Sequence, residues 1–240
     1  MLTEKVFTVH AHGAEHTTVD GTMHRASMLL LLVMGFGALT WRGVASGVIP
    51  EAFLWPVVIV SMVLGFAMVV TLMFKHEWAP YLAPAYGVVE GVFVGGVSLV
   101  FESMFPGIVI NAILLTLAVA LFMFVLYNNR IIKVTQKFRT IVILATFSIV
   151  AVYVVSFLLA MFGVNIPYIH EGGAIGIIFS LIVVTIAALN LLLDFDFIES
   201  AAKQRLPKHM EWIGAIALVV TIVWLYIEMI KLLAKIQSND

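Results

Sequence analysis

The chain has 240 residues, of which 62% are hydrophobic and 11% are charged. A soluble domain averages roughly 45–50% apolar and about 25% charged residues, so this apolar excess is too large for one globular core. Thirteen basic against fourteen acidic residues leave a net charge of −1, which argues against nucleic-acid binding, and the lack of cysteine excludes disulfides and thiolate chemistry. The composition indicates a multi-pass membrane protein.

Seven apolar stretches are long enough, or nearly so, to cross a bilayer as helices of about 20 residues. Proline and glycine separate them, and tryptophan and tyrosine lie near their ends, as is typical of interfacial anchors. We therefore predict an all-α integral membrane protein with a cytoplasmic tail over 1–25, a seven-helix domain over 26–236 and a short C-terminal tail over 237–240. The predicted spans are 27–41, 53–74, 81–101, 107–127, 140–162, 173–193 and 212–234.

The lysines and arginines predict the orientation of the chain. With the N-terminus inside, ten of the thirteen lie on the inner side, and only Arg42, Lys231 and Lys235 lie outside. Inner loops of membrane proteins carry this excess of positive charge. The N-terminus is therefore predicted to be cytoplasmic and the C-terminus external.

Glu90 lies near the middle of the third predicted span, where an ionised carboxylate is costly. It is either protonated and bonded to a neighbouring helix, or it lines a path for protons or cations. Small residues at every fourth position (Ala83, Gly87, Gly91 and Gly95) predict close helix packing that keeps this span inside the bundle. We assign Glu90 to a cation path, together with Asp196 and Asn111.

Acidic residues also lie in the last two spans. Asp194, Asp196 and Glu199 are close to the end of the sixth, where a solvated helix end is the simplest explanation. Glu211 begins the seventh, and Glu228 lies near its outer end on the same face as two lysines, where an interfacial ion pair would explain it.

Enzyme motifs and cofactor fingerprints are not found in the sequence, so we expect neither catalysis nor a bound cofactor. His12 and His16 have a spacing that could hold a transition metal if the tail were helical. A scatter of histidines in a polar tail is more often without such a role, and no metal site is assigned.

Several runs together resemble a bacterial branch of the Bax inhibitor-1 family (transmembrane Bax inhibitor motif proteins). The resemblance covers nearly everything after about residue 18. The runs are Glu90-Gly91, FESMFPGIV at 101–109, IKVTQKFR at 132–139, LDFDFIE at 193–199, PKHMEW at 207–212 and WLYIE at 224–228.

This resemblance implies seven helices with the last one central, and a calcium leak gated by pH through one acid in the sixth helix and one in the seventh. Asp194 matches the first acid and Glu228 the second, with Glu in place of Asp, while Lys75 is the positional candidate for a basic latch. Counting residues from a turn near Arg205 leaves Glu228 about 16 Å from the depth of Asp194 and Glu211 about 9 Å away. Both seventh-helix acids therefore stay open as partners of Asp194.

The function expected from the resemblance is a pH-sensitive cation (calcium) leak of the bacterial inner membrane. One alternative is a non-conducting regulator that binds a membrane protease or acts in a stress response. A proton-coupled transporter using Glu90 is a weaker one, because the sequence shows no internal repeat. A leak pathway should show a continuous seam of polar residues that touches Glu90, Asp194 and a seventh-helix acid. A binding module should instead bury those acids in complete sets of hydrogen bonds.

Overall fold

The computed structural model describes residues 16–163 and 173–239, and within them it is helical without a β-strand. All seven long helices are apolar enough to cross a membrane. They are α1 (Val19–Ala45), α2 (Leu54–Phe74), α3 (Ala79–Met104), α4 (Ile108–Asn128), α5 (Gln136–Met161), α6 (Ala174–Lys203) and α7 (Met210–Gln237). The predicted fold class of seven membrane-spanning helices is confirmed.

The first helix begins earlier than predicted. Thr18 caps it by accepting a hydrogen bond from the Gly21 amide at 3.0 Å, so α1 starts at Val19. A threonine at this position satisfies an amide that the helix itself leaves without a partner. Residues 19–25 of the predicted tail therefore belong to the first helix.

The helix ends explain how the chain turns. The Glu102 carboxylate accepts hydrogen bonds from the amides of Gly107 (2.6 Å) and Val109 (3.1 Å) at the start of α4. A carboxylate suits this place because the N-terminal end of a helix carries partial positive charge. At the opposite end of the bundle, Arg130 and Arg205 adopt positive φ angles of 56° and 52° just after α4 and α6 end.

The last helix is the centre of the bundle. In its most apolar stretch 67% of residues are buried, against 17–44% in the other six helices. It packs directly on α1, α3, α4 and α6, while α2 packs mainly on α3 and α5 mainly on α6. Because α7 is surrounded by protein rather than lipid, it can carry acidic side chains at membrane depth.

The glycine stripe of α3 brings that helix close to a neighbouring helix, as predicted, and the neighbour is α1. A Cβ atom added at Gly95 would lie 2.5 Å from the carbonyl oxygen of Gly37, and one added at Gly91 would lie 2.7 Å from that of Val33. Only glycine lets the two backbones approach this closely. The stripe therefore has a packing role.

Candidate functional site

Three buried or largely buried carboxylates lie at the central helix α7, two on the helix itself and one facing it from α6. Glu211 begins the helix and Glu228 lies in its last third, with relative exposures of 0% and 2%. Between them, Asp194 of α6 hydrogen-bonds with Thr221 of α7. At 1.5 Å per residue, Asp194 meets α7 about 15 Å beyond Glu211 and about 10 Å before Glu228.

Glu211 joins α7 to the start of α1. Its Oε1 accepts hydrogen bonds from the amide and the hydroxyl of Thr18, at 2.8 and 2.9 Å. Its carboxylate also forms ion pairs with Arg25 and with Lys208, the latter at 3.3 Å. A carboxylate with no exposed surface is tolerated because two cations and two hydrogen bonds replace its water.

The sequence of α1 is adapted to this contact. A Cβ atom added at Gly21 would overlap the Glu211 carboxylate, so a glycine at 21 leaves the space that the acid occupies. The Arg25 guanidinium lies one helical turn further on, 5.1 Å from the centre of the Trp212 ring. A cation over an aromatic face adds to the attraction between the two helices.

Asp194 has the least complete set of partners of the three acids. Apart from Thr221, which contacts the carboxyl group, its Oδ2 atom is buried without a hydrogen-bond partner. A buried polar oxygen that lacks a partner is uncommon in folded proteins and costs free energy. Of these three acids, Asp194 therefore has the most room for a further hydrogen bond or a bound cation.

The predicted direct pairing of Asp194 with Glu228 or Glu211 is not formed in this conformation. The Glu228 carboxylate instead accepts a hydrogen bond from the Tyr153 hydroxyl at 2.9 Å and pairs with Lys231 at 3.0 Å. Asp194 reaches α7 between the two acids, so neither carboxylate shares a proton with it. Formation of either carboxylate pair would require α6 and α7 to move relative to each other.

Glu90 lies apart from the acids of α7. It is half-buried on the α2 side of α3, where it hydrogen-bonds Tyr86, one helical turn earlier. Its Oε2 is so close to α2 that a Cβ atom at Gly65 would lie 3.1 Å away. A continuous polar seam joining Glu90 to Asp194 is thus not formed by these contacts.

Asp196 and Glu199 face the segment between α4 and α5. Asp196 pairs with Arg139 at 2.5 Å, and Glu199 pairs at 2.5 Å with both Arg130 and Lys203. The hydrogen bond to Glu199 raises the pKa of the exposed Arg130 guanidinium above its ordinary value. These cations offset the acidic end of α6, which the helix dipole alone would disfavour.

Asn111 and Lys75 also lie away from Asp194. Asn111 is exposed on α4. Lys75 is exposed between α2 and α3, where it lines a cavity of about 590 Å³ with Pro207 and Met210 of the α6–α7 turn. Lys75 is therefore at the Glu211 end of α7, about 16 Å along the helix from Thr221.

Within the described residues, no three histidine, aspartate or glutamate side chains are grouped so that they could hold a metal ion. His16 is exposed and bridges to Pro207 through the backbone. His12 lies outside the described residues.

A comparison with protein families shows which family the chain belongs to. The sequence model described as Bax inhibitor 1 like matches residues 2–238, which is nearly the whole chain. The chain belongs to the Bax inhibitor 1 like family. A comparison with curated proteins finds no match.

Sequence reasoning missed several residues of the acid sites in this Bax inhibitor 1 like protein. They include Gly21, which leaves space for Glu211, Arg25, which pairs with Glu211, and Tyr153, which donates a hydrogen bond to Glu228. Arg25 carried a usable signal, because it lies four residues after a glycine and close to a threonine cap, where a helix could present it to a partner. Tyr153 carried none, since it is one aromatic residue within a long apolar helix.

Proposed function

We propose that this Bax inhibitor 1 like protein is a pH-sensitive cation leak, with calcium as the ion that the family resemblance suggests. The observation that supports it best is that two buried carboxylates of the central helix α7 and a third from α6, Asp194, lie at successive levels along α7. Ionisable residues within membrane spans are expensive and characteristically mark ion pathways. Carboxylate oxygens are also the ligands that calcium prefers.

The described conformation fits the closed state of such a pathway. Glu211 and Glu228 are held by cations at the two ends of α7, and buried apolar residues such as Leu218 and Leu225 lie between the acids. Apolar constrictions exclude water and ions until they widen. A cavity reaches Glu228 from the C-terminal end of α7, but Asp194 is not among its lining residues.

In this proposal Asp194 is the pH sensor, and Glu228 and Glu211 are the gate acids. Asp194 lies against Thr221 of α7, so a change in its charge acts directly on the α6–α7 contact. Release of Glu228 from Lys231, or of Glu211 from Arg25, would then allow either carboxylate to approach it. Two carboxylates brought together in a low-dielectric site titrate as a pair.

The experiment is calcium flux into proteoliposomes containing the purified chain, measured between about pH 5 and pH 8. Wild type should conduct with a pH-dependent rate, and Glu228→Gln or Glu211→Gln should shift that dependence. Protein-free vesicles and vesicles containing heat-inactivated protein give the background rates. A folded wild type that passes neither calcium nor a monovalent cation at any pH would refute the leak.

A second function, a non-conducting regulator that binds a membrane protease or another membrane partner, is favoured by one observation. Glu211 and Glu228 are both enclosed in hydrogen bonds and ion pairs, as a structural role requires. The same flux series separates the two functions, because the regulator predicts no flux. A transporter using Glu90 is less favoured, since Glu90 faces α2 rather than α7.

We further propose that the protein acts in the bacterial inner membrane, with a cytoplasmic N-terminus, and that it is not an enzyme. The ends of α2, α4 and α6 lie on the same side as the start of α1, and this side carries most of the lysines and arginines. This distribution supports a cytoplasmic position for that side.

A further inference from the structure

A cavity of about 620 Å³ opens at the C-terminal end of α7, between α3, α5, α6 and α7. It lies near the last turns of α5 and α7 and the first turns of α6, which is the depth where a spanning helix meets the lipid head groups. Much of its wall is aromatic, formed by Phe101, Phe105, Phe157 and Phe179.

The cavity carries two lysines and one glutamate on its α7 side, for a formal charge of +1. The Lys231 ammonium is 3.0 Å from Glu228 and 4.9 Å from the centre of the Tyr153 ring. The Lys235 ammonium donates to the Ser180 hydroxyl at 2.8 Å and to the Gly176 carbonyl at 3.2 Å. These contacts hold both cations at the cavity wall.

Ser156 supplies an independent observation. It is 6% exposed, lines the cavity, and its hydroxyl is buried without a hydrogen-bond partner. Other hydroxyls of α5 behave differently: those of Thr146 and Ser148 donate to the carbonyl one turn earlier, at 2.9 and 2.8 Å. A buried helical serine ordinarily makes that bond. The unused hydrogen-bonding capacity of the Ser156 hydroxyl therefore fits a ligand in the cavity.

We propose that this cavity binds the head group of an anionic phospholipid from the leaflet at the C-terminal end of α7. Its phosphate would accept hydrogen bonds from Lys231, Lys235 and Ser156, and the aromatic wall would pack against the upper part of an acyl chain. The net positive charge favours an anionic head group over a zwitterionic one. The volume suits a head group rather than a whole lipid. The site does not depend on whether the protein conducts ions.

The test measures the lipid that the purified full chain retains. The protein is equilibrated with detergent micelles containing equal amounts of phosphatidylglycerol and phosphatidylcholine, and bound lipids are counted by native mass spectrometry. Wild type should retain phosphatidylglycerol in preference. Lys235→Gln should lower the phosphatidylglycerol affinity about fivefold, which corresponds to about 1 kcal/mol for one lysine near a membrane surface.

Two further variants probe the cavity without removing a charge. Ser156→Ala should lower phosphatidylglycerol retention, whereas Ser148→Ala, on the same helix with a satisfied hydroxyl, should not. Ala160→Trp should reduce retention by filling the cavity, whose wall includes Ala160. Thermal unfolding of each variant confirms that it is folded.

Lys137→Gln is the matched charge control, because Lys137 is exposed at the opposite end of the bundle. An equal loss of phosphatidylglycerol in Lys137→Gln and Lys235→Gln would overturn the proposal, since the effect would then be one of total charge. Equal retention of both lipids by wild type would also overturn it. So would displacement of the lipid by millimolar inorganic phosphate, because the cavity would then be a site for free anions.

Discussion

Buried acids in this bundle differ from its surface acids in how they are neutralised. Glu211 has no exposed surface and relies on Arg25 and Thr18, whereas Glu199 is 22% exposed and bonds mainly to flexible side chains at the bundle end. Removing one partner from a buried ion pair leaves the other charge uncompensated, while an exposed pair is replaced by water.

We therefore expect Glu211→Gln to destabilise the protein by about 3 kcal/mol, near the low end of the range for a buried pair because Arg25 is partly exposed. Glu199→Gln, the matched surface change, should cost less than about 1 kcal/mol. Thermal unfolding in detergent, followed by circular dichroism, compares them. Equal losses in the two variants would show that burial of Glu211 does not set its contribution.

The Asp194 carboxyl oxygen that lacks a hydrogen-bond partner leads to a functional prediction. Asp194→Asn keeps the size of the side chain but removes its titration, so the flux of the variant should lose most of its dependence on pH between about 5 and 8. Its stability should be unchanged or higher, because a poorly satisfied buried carboxyl group is removed.

Asp196→Asn is the control for this experiment. Asp196 pairs with Arg139 at the bundle end and should keep the wild-type pH profile. If Asp194→Asn also keeps that profile in vesicles that conduct, the sensor is another residue, and Glu211 and Glu228 are the next to test.

At the level of elements, α1 and α3 are held together by glycines rather than by large apolar side chains. Gly95 faces the Gly37 carbonyl group, which belongs to the backbone and cannot rotate away. In lipid, such close contacts supply much of the attraction between helices, because burial of apolar side chains gains little there.

Gly95→Ala should consequently destabilise the bundle by about 1–3 kcal/mol through overpacking. Gly35→Ala in α1 is the matched control, because a Cβ atom there meets no atom within 4 Å. The control should be neutral, or stabilising by up to about 1 kcal/mol, since alanine is the better helix former. Melting temperatures of the two variants in one detergent decide the question, and a control as unstable as Gly95→Ala would contradict the packing argument.

At the level of the whole molecule, the seven helices alternate in direction, so the start of α1 and the end of α7 lie on opposite sides. The side that holds the start of α1 carries the arginines and lysines that flank α4, α5 and α6. This asymmetry predicts that the 130–139 segment faces the cytoplasm.

The lack of cysteine makes the orientation directly measurable. In intact cells, a membrane-impermeant thiol reagent should label Val48→Cys, at an exposed position between α1 and α2, and should not label Lys133→Cys between α4 and α5. After permeabilisation both should react. The reverse pattern would invert the proposed topology.

The class of protein, the number of spans and the close approach of α3 to a neighbour could all be predicted from the amino-acid sequence. Each follows from local composition, because about 20 apolar residues suffice to span a bilayer and small residues at every fourth position form one helix face. The family resemblance likewise follows from short runs of residues, and the match over 2–238 confirms it.

Which side chains contact each other could be seen in the folded bundle alone. Arg25 and Glu211 are far apart in the chain. Tyr153 and Glu228 lie on different helices, and local sequence patterns do not show which helices pack together. Asp194 reaches α7 at Thr221, between the two acids that sequence reasoning offered as partners. The physical reason is that contacts between helices depend on rotation, tilt and depth, which the whole bundle sets by packing, whereas the length and apolar character of each helix are local properties of its residues.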